Sequence, residues 1–225
     1  MSKKILGIIF DLDGTLLNTL SDIALSMNSV LSEFGFPGHP VESYRYFIGD
    51  GIEELCRRVL PEEKRSEDKG IIKLLVGKMK DVYSSSWRNN TAPYPGIEDM
   101  LLTFAKLEIP MSIVSNKPQQ FAEEMVKEYF KTIPFRAVFG NASGRPKKPD
   151  PASAFESAEK MGLSPSSIAF AGDSATDILT AKNAGMISIG VLWGFRSQEE
   201  LKDAGADLIV ETPAGITDLV LLHNE

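Results

Sequence analysis

Short, predominantly apolar runs recur along the chain at residues 5–10, 111–114, 137–139, 168–171, 187–192 and 208–210. Runs of this length, without polar alternation, predict strands buried on both faces, as in a parallel sheet. Helix-spaced apolar residues fill the intervals at 97–107, 119–130, 151–161 and 177–184, the last stopped by Gly185. Strand–helix alternation of this kind predicts an α/β fold: a doubly wound, mostly parallel sheet.

One stretch breaks the alternation. Between the first apolar run and the second there is no clear buried strand, only helix-spaced patterns at 19–34, 51–59 and 66–86. They are separated by a Gly- and Pro-rich turn at 35–40 and by Leu60-Pro61-Glu62. The expected organisation is therefore an α/β core, residues 1–17 and 92–225, interrupted by an all-helical insert, 18–91. Pro93, Pro95 and Gly96 mark the segment at 91–96 as the re-entry linker, and the other junction falls near 16–19. No internal repeat or low-complexity tract is present.

Composition narrows the function classes. The 225 residues are 43% hydrophobic, ordinary for a globular protein with a real core, and the net charge of −7 argues against a general nucleic-acid binder. The lone Cys56 leaves no internal disulfide and no thiolate cluster for zinc. His39 and His223 sit in a turn and in the final residues, outside any motif. The first apolar run is too short for a secretory signal, and no stretch reaches the ~20 apolar residues of a membrane span, so a cytoplasmic protein is expected.

The chemistry concentrates at the ends of the apolar runs. Asp11 follows the first run, where open α/β sheets bind ligands, and an ionised carboxylate attacks phosphorus without a helper base. Asp13 follows two residues later, before Gly14 and Thr15. It is placed to protonate a leaving alkoxide and then to take a proton from the hydrolytic water. Gly14 provides the tight turn and Thr15 a hydroxyl donor. Ser115 and Asn116 end the second run and suit a phosphate oxygen. Lys148, in the polar loop 144–151, would neutralise the nucleophile and the phosphoryl oxygens, with Lys147 as its rival. Asp173 ends the fourth run. Asp177 then reaches the same place directly, through water, or by orienting Asp173, with Gly172 and Ser174 as supports.

Oxygen ligands without histidine or cysteine point to magnesium. Four ionised aspartates and a phosphate dianion outweigh one divalent cation and one lysine, so without the cation the pocket would repel its substrate. Taken singly, each motif is also an ordinary turn or helix cap.

In order and in strand placement, Asp11-Leu12-Asp13-Gly14-Thr15-Leu16, Ser115, Lys148 and Gly172-Asp173-Ser174 with Asp177 resemble the motifs of the haloacid dehalogenase superfamily. The resemblance covers nearly the whole chain. It implies a magnesium-dependent phosphatase working through an aspartyl-phosphate on Asp11. The ion would be held by Asp11, the backbone carbonyl of Asp13, and Asp173. The acid at position 13 favours phosphatase over dehalogenase chemistry, and the insert resembles a helical cap of this superfamily.

The segment 47–51, with Leu55, Arg58 and Leu60-Pro61, and the segments 93–96, 148–151 and 190–195 are similar to the phosphoglycolate phosphatase subfamily, which implies a small phosphorylated metabolite such as 2-phosphoglycolate. Arg45, Gly49, Asp50 and Gly51 are the insert's candidates for facing substrate, and Arg45 suits a substrate carboxylate. Trp193 and Phe195 are expected to pack.

A pyrophosphatase or a phosphotransferase resembling β-phosphoglucomutase is the alternative within the superfamily. A receiver-like phospho-aspartate signalling module is the alternative from another class, and the large helical insert speaks against it. A monomer or homodimer is expected, with no nucleic-acid or membrane partner.

Overall fold

The computed structural model describes residues 4–65 and 69–223. The beginning of the helix predicted over 66–86, at 66–68, lies outside the described residues. Eight strands are present among them: β1 Gly7–Phe10, β2 Leu17–Asn18, β3 Ala92–Pro93, β4 Met111–Pro118, β5 Phe135–Asn141, β6 Ile168–Gly172, β7 Ile187–Val191 and β8 Leu208–Val210. Six form one sheet in the order β5-β4-β1-β6-β7-β8, with every pairing parallel. All residues of β1, β6 and β7 are buried, as strands covered on both faces must be.

The chain steps outward from β1 to β4 and β5, then returns to the other side of β1 for β6, β7 and β8. Strand order thus reverses at β1, and ligands of open α/β sheets bind beyond the carboxyl ends of the strands at such a reversal. The helix Ala152–Met161 packs on β1, β4 and β5, and the helix Ala175–Asn183 packs on β6 and β7. Alanines 154, 158 and 181 of these helices, with Ala184 just after the second, close on Ile9, Val114, Ile168 and Phe170 in one apolar cluster.

Contacts divide the chain into an α/β unit, Met1–Leu17 with Pro93–Glu225, and a helical unit, Asn18–Ala92. In the helical unit, Leu20–Glu33 packs against Lys69–Ser86. Met27, Val30, Leu31, Leu75, Met79 and Tyr83 are buried there. The short helices Tyr44–Phe47 and Glu62–Arg65 had no counterpart in the hydrophobic pattern, because a single turn has no period to read. Gln198–Asp203 and Pro213–Leu222 of the α/β unit also escaped the pattern, although Ser197 and Thr212 cap them by accepting backbone N–H bonds.

His39 has a structural role in the helical unit. Asn28 bonds its backbone on both sides at 2.8 Å, and its ring meets the Val59 carbonyl at 2.8 Å. Among the described residues no helix is long and apolar enough to cross a membrane.

One buried carboxylate pins both ends of the helical unit. Asp22, in the first turn of Leu20–Glu33, accepts hydrogen bonds from the backbone N–H and side-chain amide of Asn90 (2.9 and 2.7 Å). It also accepts from the backbone N–H and hydroxyl of Thr91 (2.8 and 2.9 Å). Removing the carboxylate takes the acceptor away from both donors of the buried Thr91 and from those of the exposed Asn90. Asp22→Ala is expected to cost about 2–4 kcal/mol in urea or guanidinium unfolding. An unchanged midpoint would show that these bonds do not hold the unit together.

Candidate active site

The site is assembled at the carboxyl ends of β1, β4 and β6. The Asp11 N–H donates to the Ala171 carbonyl at 3.0 Å, so the β1–β6 ladder fixes the residue's backbone. Residues 12–17 then fold into a compact turn: Leu16 and Leu17 donate to the Leu12 carbonyl (3.0 and 2.9 Å), and Gly14 donates to the Leu17 carbonyl (2.9 Å). Gly14 has φ +86°, and a Cβ there would lie 2.3 Å from Asp173 Oδ2. Only glycine permits both that backbone and so close an approach.

Asp173 is held from two sides. Its Oδ1 accepts from the Thr15 hydroxyl at 3.3 Å and its Oδ2 from the Phe195 N–H at 2.7 Å. The Trp193 indole donates to the Thr15 carbonyl at 2.9 Å. Trp193 and Phe195, expected only to pack, therefore also brace the acidic turn. Packing alone gave no hint of this, because the bond from residue 195 comes from its backbone.

Asp177 lies at the start of Ala175–Asn183, whose onset precedes the predicted one because Ser174 caps it. Asp177 Oδ2 accepts from the Ser174 N–H (3.1 Å) and hydroxyl (2.7 Å), while Oδ1 accepts from Lys148 Nζ at 2.6 Å. A Cβ on Gly172 would lie 2.2 Å from Asp177 Cγ, so the residue ending β6 has to be small.

Lys148 also reaches Asp11 Oδ1 at 2.8 Å, whereas Lys147 is exposed. The geometry thus brings Lys148 into the cluster and leaves Lys147 outside. Asn116 acts on the same lysine: its amide accepts from the Lys148 N–H (2.8 Å) and donates to the Lys148 carbonyl (3.2 Å). It was read as a phosphate contact, yet here it holds the backbone of Lys148. Ser115 is buried beside it, and its hydroxyl accepts from the Lys117 N–H at 3.3 Å.

Asp11, Asp173 and Asp177 each offer an oxygen within 4.8 Å of the others, and all three are buried. The cluster contains the carboxylate of Asp177, which was expected to reach this place directly, through water, or by orienting Asp173. Asp13 instead pairs with the buried Lys117, whose Nζ lies 2.9 and 3.2 Å from its two oxygens. Lys117 follows Ser115 and Asn116 directly in sequence, but a lysine at the end of a strand carries no signal of its partner.

Burial dominates the electrostatics. Desolvation pushes the Asp11 carboxyl up to about 6 against the pull of Lys148, with the Asp177 charge adding to the rise. Asp173 is pushed up to about 8 by desolvation and by the charges of Asp177 and Asp11. Burial alone would lower the Lys148 ammonium, but the Asp11 and Asp177 charges outweigh it, and its pKa is raised. Asp11 Oδ1 touches Lys148 as an ion pair yet lacks an aligned hydrogen bond. An oxygen-only cluster with such an atom fits a hard divalent cation.

The remaining candidates belong to the helical unit. Arg45 pairs with Glu42 at 2.6 Å. Gly49, Asp50 and Gly51 form the loop between Tyr44–Phe47 and Ile52–Arg58, with φ of +123° and +89° at the two glycines. Arg58 organises that loop, pairing with Asp50 and donating to the carbonyls of Tyr46 and Phe47 at 3.3 Å.

Residues 8–191 match the haloacid dehalogenase-like hydrolase family. A phosphoglycolate phosphatase of Mannheimia succiniciproducens is 33% identical over 96% of this chain and 98% of its own. The crystal structure of a candidate phosphoglycolate phosphatase from Lactobacillus delbrueckii subsp. bulgaricus superposes with a TM-score of 0.90 at 29% identity, covering 96% of this chain and 98% of that one. That of a predicted phosphoglycolate phosphatase from Haemophilus somnus gives 0.87 at 27% identity, covering 96% and 97%. With the family match spanning most of its length, the chain belongs to the haloacid dehalogenase-like hydrolase family.

Proposed function

We propose that this chain is a magnesium-dependent phosphatase hydrolysing a small phosphomonoester, 2-phosphoglycolate foremost, through an aspartyl-phosphate on Asp11. The observation carrying the reading is the gathering of Asp11, Asp173 and Asp177 in one cluster, with Lys148 paired to Asp11 and Asp177 and with Asp13 on the turn beside Asp11. The names of the similar proteins support the substrate.

In the first step an Asp11 oxygen attacks phosphorus, the ester P–O bond breaks, and the departing oxygen takes the proton of the Asp13 carboxyl. In the second step water attacks the acyl phosphate and gives its proton to Asp13. The Asp11–phosphorus bond breaks, releasing inorganic phosphate and restoring the Asp11 carboxylate. Lys148 neutralises charge on the nucleophile and the phosphoryl oxygens, and the buried Ser115 hydroxyl and Thr15 hold the walls of the pocket. Asp11, Asp173 and the Asp13 carbonyl are the proposed ligands of the ion, with Asp177 adjoining. A bound magnesium would offset the carboxylates and polarise a phosphoryl oxygen. Substrate choice is assigned to the helical unit, through Arg45, Gly49, Asp50 and Gly51.

Phosphate release should be measured with magnesium across phosphoglycolate, sugar phosphates, nucleotides and pyrophosphate. Small phosphomonoesters are expected to lead, and Asp11→Asn to abolish both turnover and any trapped phosphoenzyme. Release confined to pyrophosphate would overturn the substrate class.

An Asp13→Asn variant is expected to lose about 10²–10⁴-fold on alkyl phosphates and far less on p-nitrophenyl phosphate, whose leaving group needs no proton. Equal losses would remove the acid role.

The raised carboxyls also set a pH dependence. Asp11 and Asp173 hold protons more tightly in the fold than at their ordinary 3.8. Their contribution to stability is thus complete below that value and is lost as pH rises through about 6 and about 8. Metal-free protein should melt at a falling temperature from about pH 5 to pH 8, with magnesium or Asp173→Asn flattening the fall. A profile unaffected by either would detach the cluster from cation binding.

A further inference from the structure

Lys117 is an interior ammonium to which the proposed chemistry gives no task. Its side chain is 3% exposed, and its Nζ lies 2.9 and 3.2 Å from the two Asp13 oxygens across 104 positions of sequence. Burying an ammonium is expensive unless it is paired, so a lysine placed here and aimed at one carboxylate is a costly arrangement.

The backbone that aims it is also specified. The β4–β5 register shifts between Val114 and Pro118, and such irregularities redirect side chains at strand ends. The Lys117 N–H is taken by the Ser115 hydroxyl at 3.3 Å. Gly140 leaves room for the Lys117 carbonyl, which would stand 2.8 Å from a Cβ at that position.

We infer that Lys117 is a positioning residue for the reaction: it fixes the orientation of the Asp13 carboxylate, so that the carboxyl meets the leaving-group oxygen and later the water. Contact with both oxygens restrains rotation about the terminal bond of the aspartate, which a single contact would leave freer. Lys148 and Lys117 then divide the work, one serving the nucleophile and the other the acid–base group.

The inference rests on the acid–base role proposed for Asp13, and the test separates the two. Lys117→Met, Lys117→Gln, Asp13→Asn and the double variant Asp13→Asn/Lys117→Met are assayed on an alkyl phosphate and on p-nitrophenyl phosphate. Lys117→Met is expected to lose about 10–100-fold in kcat on the alkyl ester, the scale of a misplaced catalytic group, and only a few-fold on the aryl ester. Lys117→Gln, which keeps a donor, should recover part of the loss. In the double variant, Lys117→Met should add nothing to the loss from Asp13→Asn, because groups acting as a unit are not additive.

If Asp13→Asn itself shows no leaving-group selectivity, the acid–base reading falls and this inference falls with it. If Asp13→Asn is selective but Lys117→Met slows both esters alike, or multiplies the Asp13→Asn loss, the positioning role alone is overturned. Should Lys117→Met fold poorly by its melting temperature, the same comparison on Lys117→Gln decides.

Discussion

Three carboxylates, Asp11, Asp173 and Asp177, are gathered where water is nearly excluded, and the fold has to tolerate their mutual repulsion. Desolvation is the first cause of the raised Asp11 and Asp173 carboxyls, and at Asp11 the charge of Lys148 offsets only part of it. The surrounding polar groups make sense as responses to that cost. Thr15 and the Phe195 N–H bind Asp173, and Ser174 binds Asp177. Asn116 clamps the backbone of the lysine itself. Each response fixes a side chain in place, so the measures that make the cluster tolerable also make it rigid. A site held by the ends of buried strands keeps its geometry better than one carried on loops alone.

The order of strands explains why residues so distant in sequence meet. β1 lies between β4 and β6, so the segments leaving the carboxyl ends of these three strands open onto one edge. Lys148 arrives on the segment between β5 and the helix Ala152–Met161, which packs back across β1, β4 and β5. The helical unit leaves the chain after the β1 turn and returns before β4, and the short strands β2 and β3 at its two crossings pair with each other. An insert whose ends are that close leaves the sheet's ladder intact, and Asp22 ties those ends together from within the insert.

This logic sets what could be read from sequence. The central strands β1, β6 and β7 were visible as apolar runs because complete burial removes the polar alternation that would blur them, while the partly buried β5 showed only its middle residues as a run. Asp11 and Asp173 were visible because each lies at the end of such a run, and Asp13 and Asp177 because they follow two and four residues later. Partnerships were another matter. That Asn116 serves Lys148, that Asp177 reaches the cluster directly and not through water, and that Asp13 turns to Lys117 depend on side-chain directions set by tertiary packing. A Ser-Asn-Lys sequence after a strand is compatible with several of them. The two helices near the end of the chain had good caps at Ser197 and Thr212, but one is too short and the other too uniformly apolar to show a clear period.

Asp11 and Asp13 show most sharply that environment, and not residue type, sets chemical role. They are the same amino acid, separated by a single leucine on one turn, yet one joins the carboxylate cluster with Lys148 while the other is held by Lys117. Two carboxylates can take different parts in one reaction only if their surroundings differ, and here two different lysines supply the difference. All six of these charged groups, Asp11, Asp13, Lys117, Lys148, Asp173 and Asp177, belong to the α/β unit. The electrostatic problem is therefore solved within one unit. The helical unit contributes none of these charges.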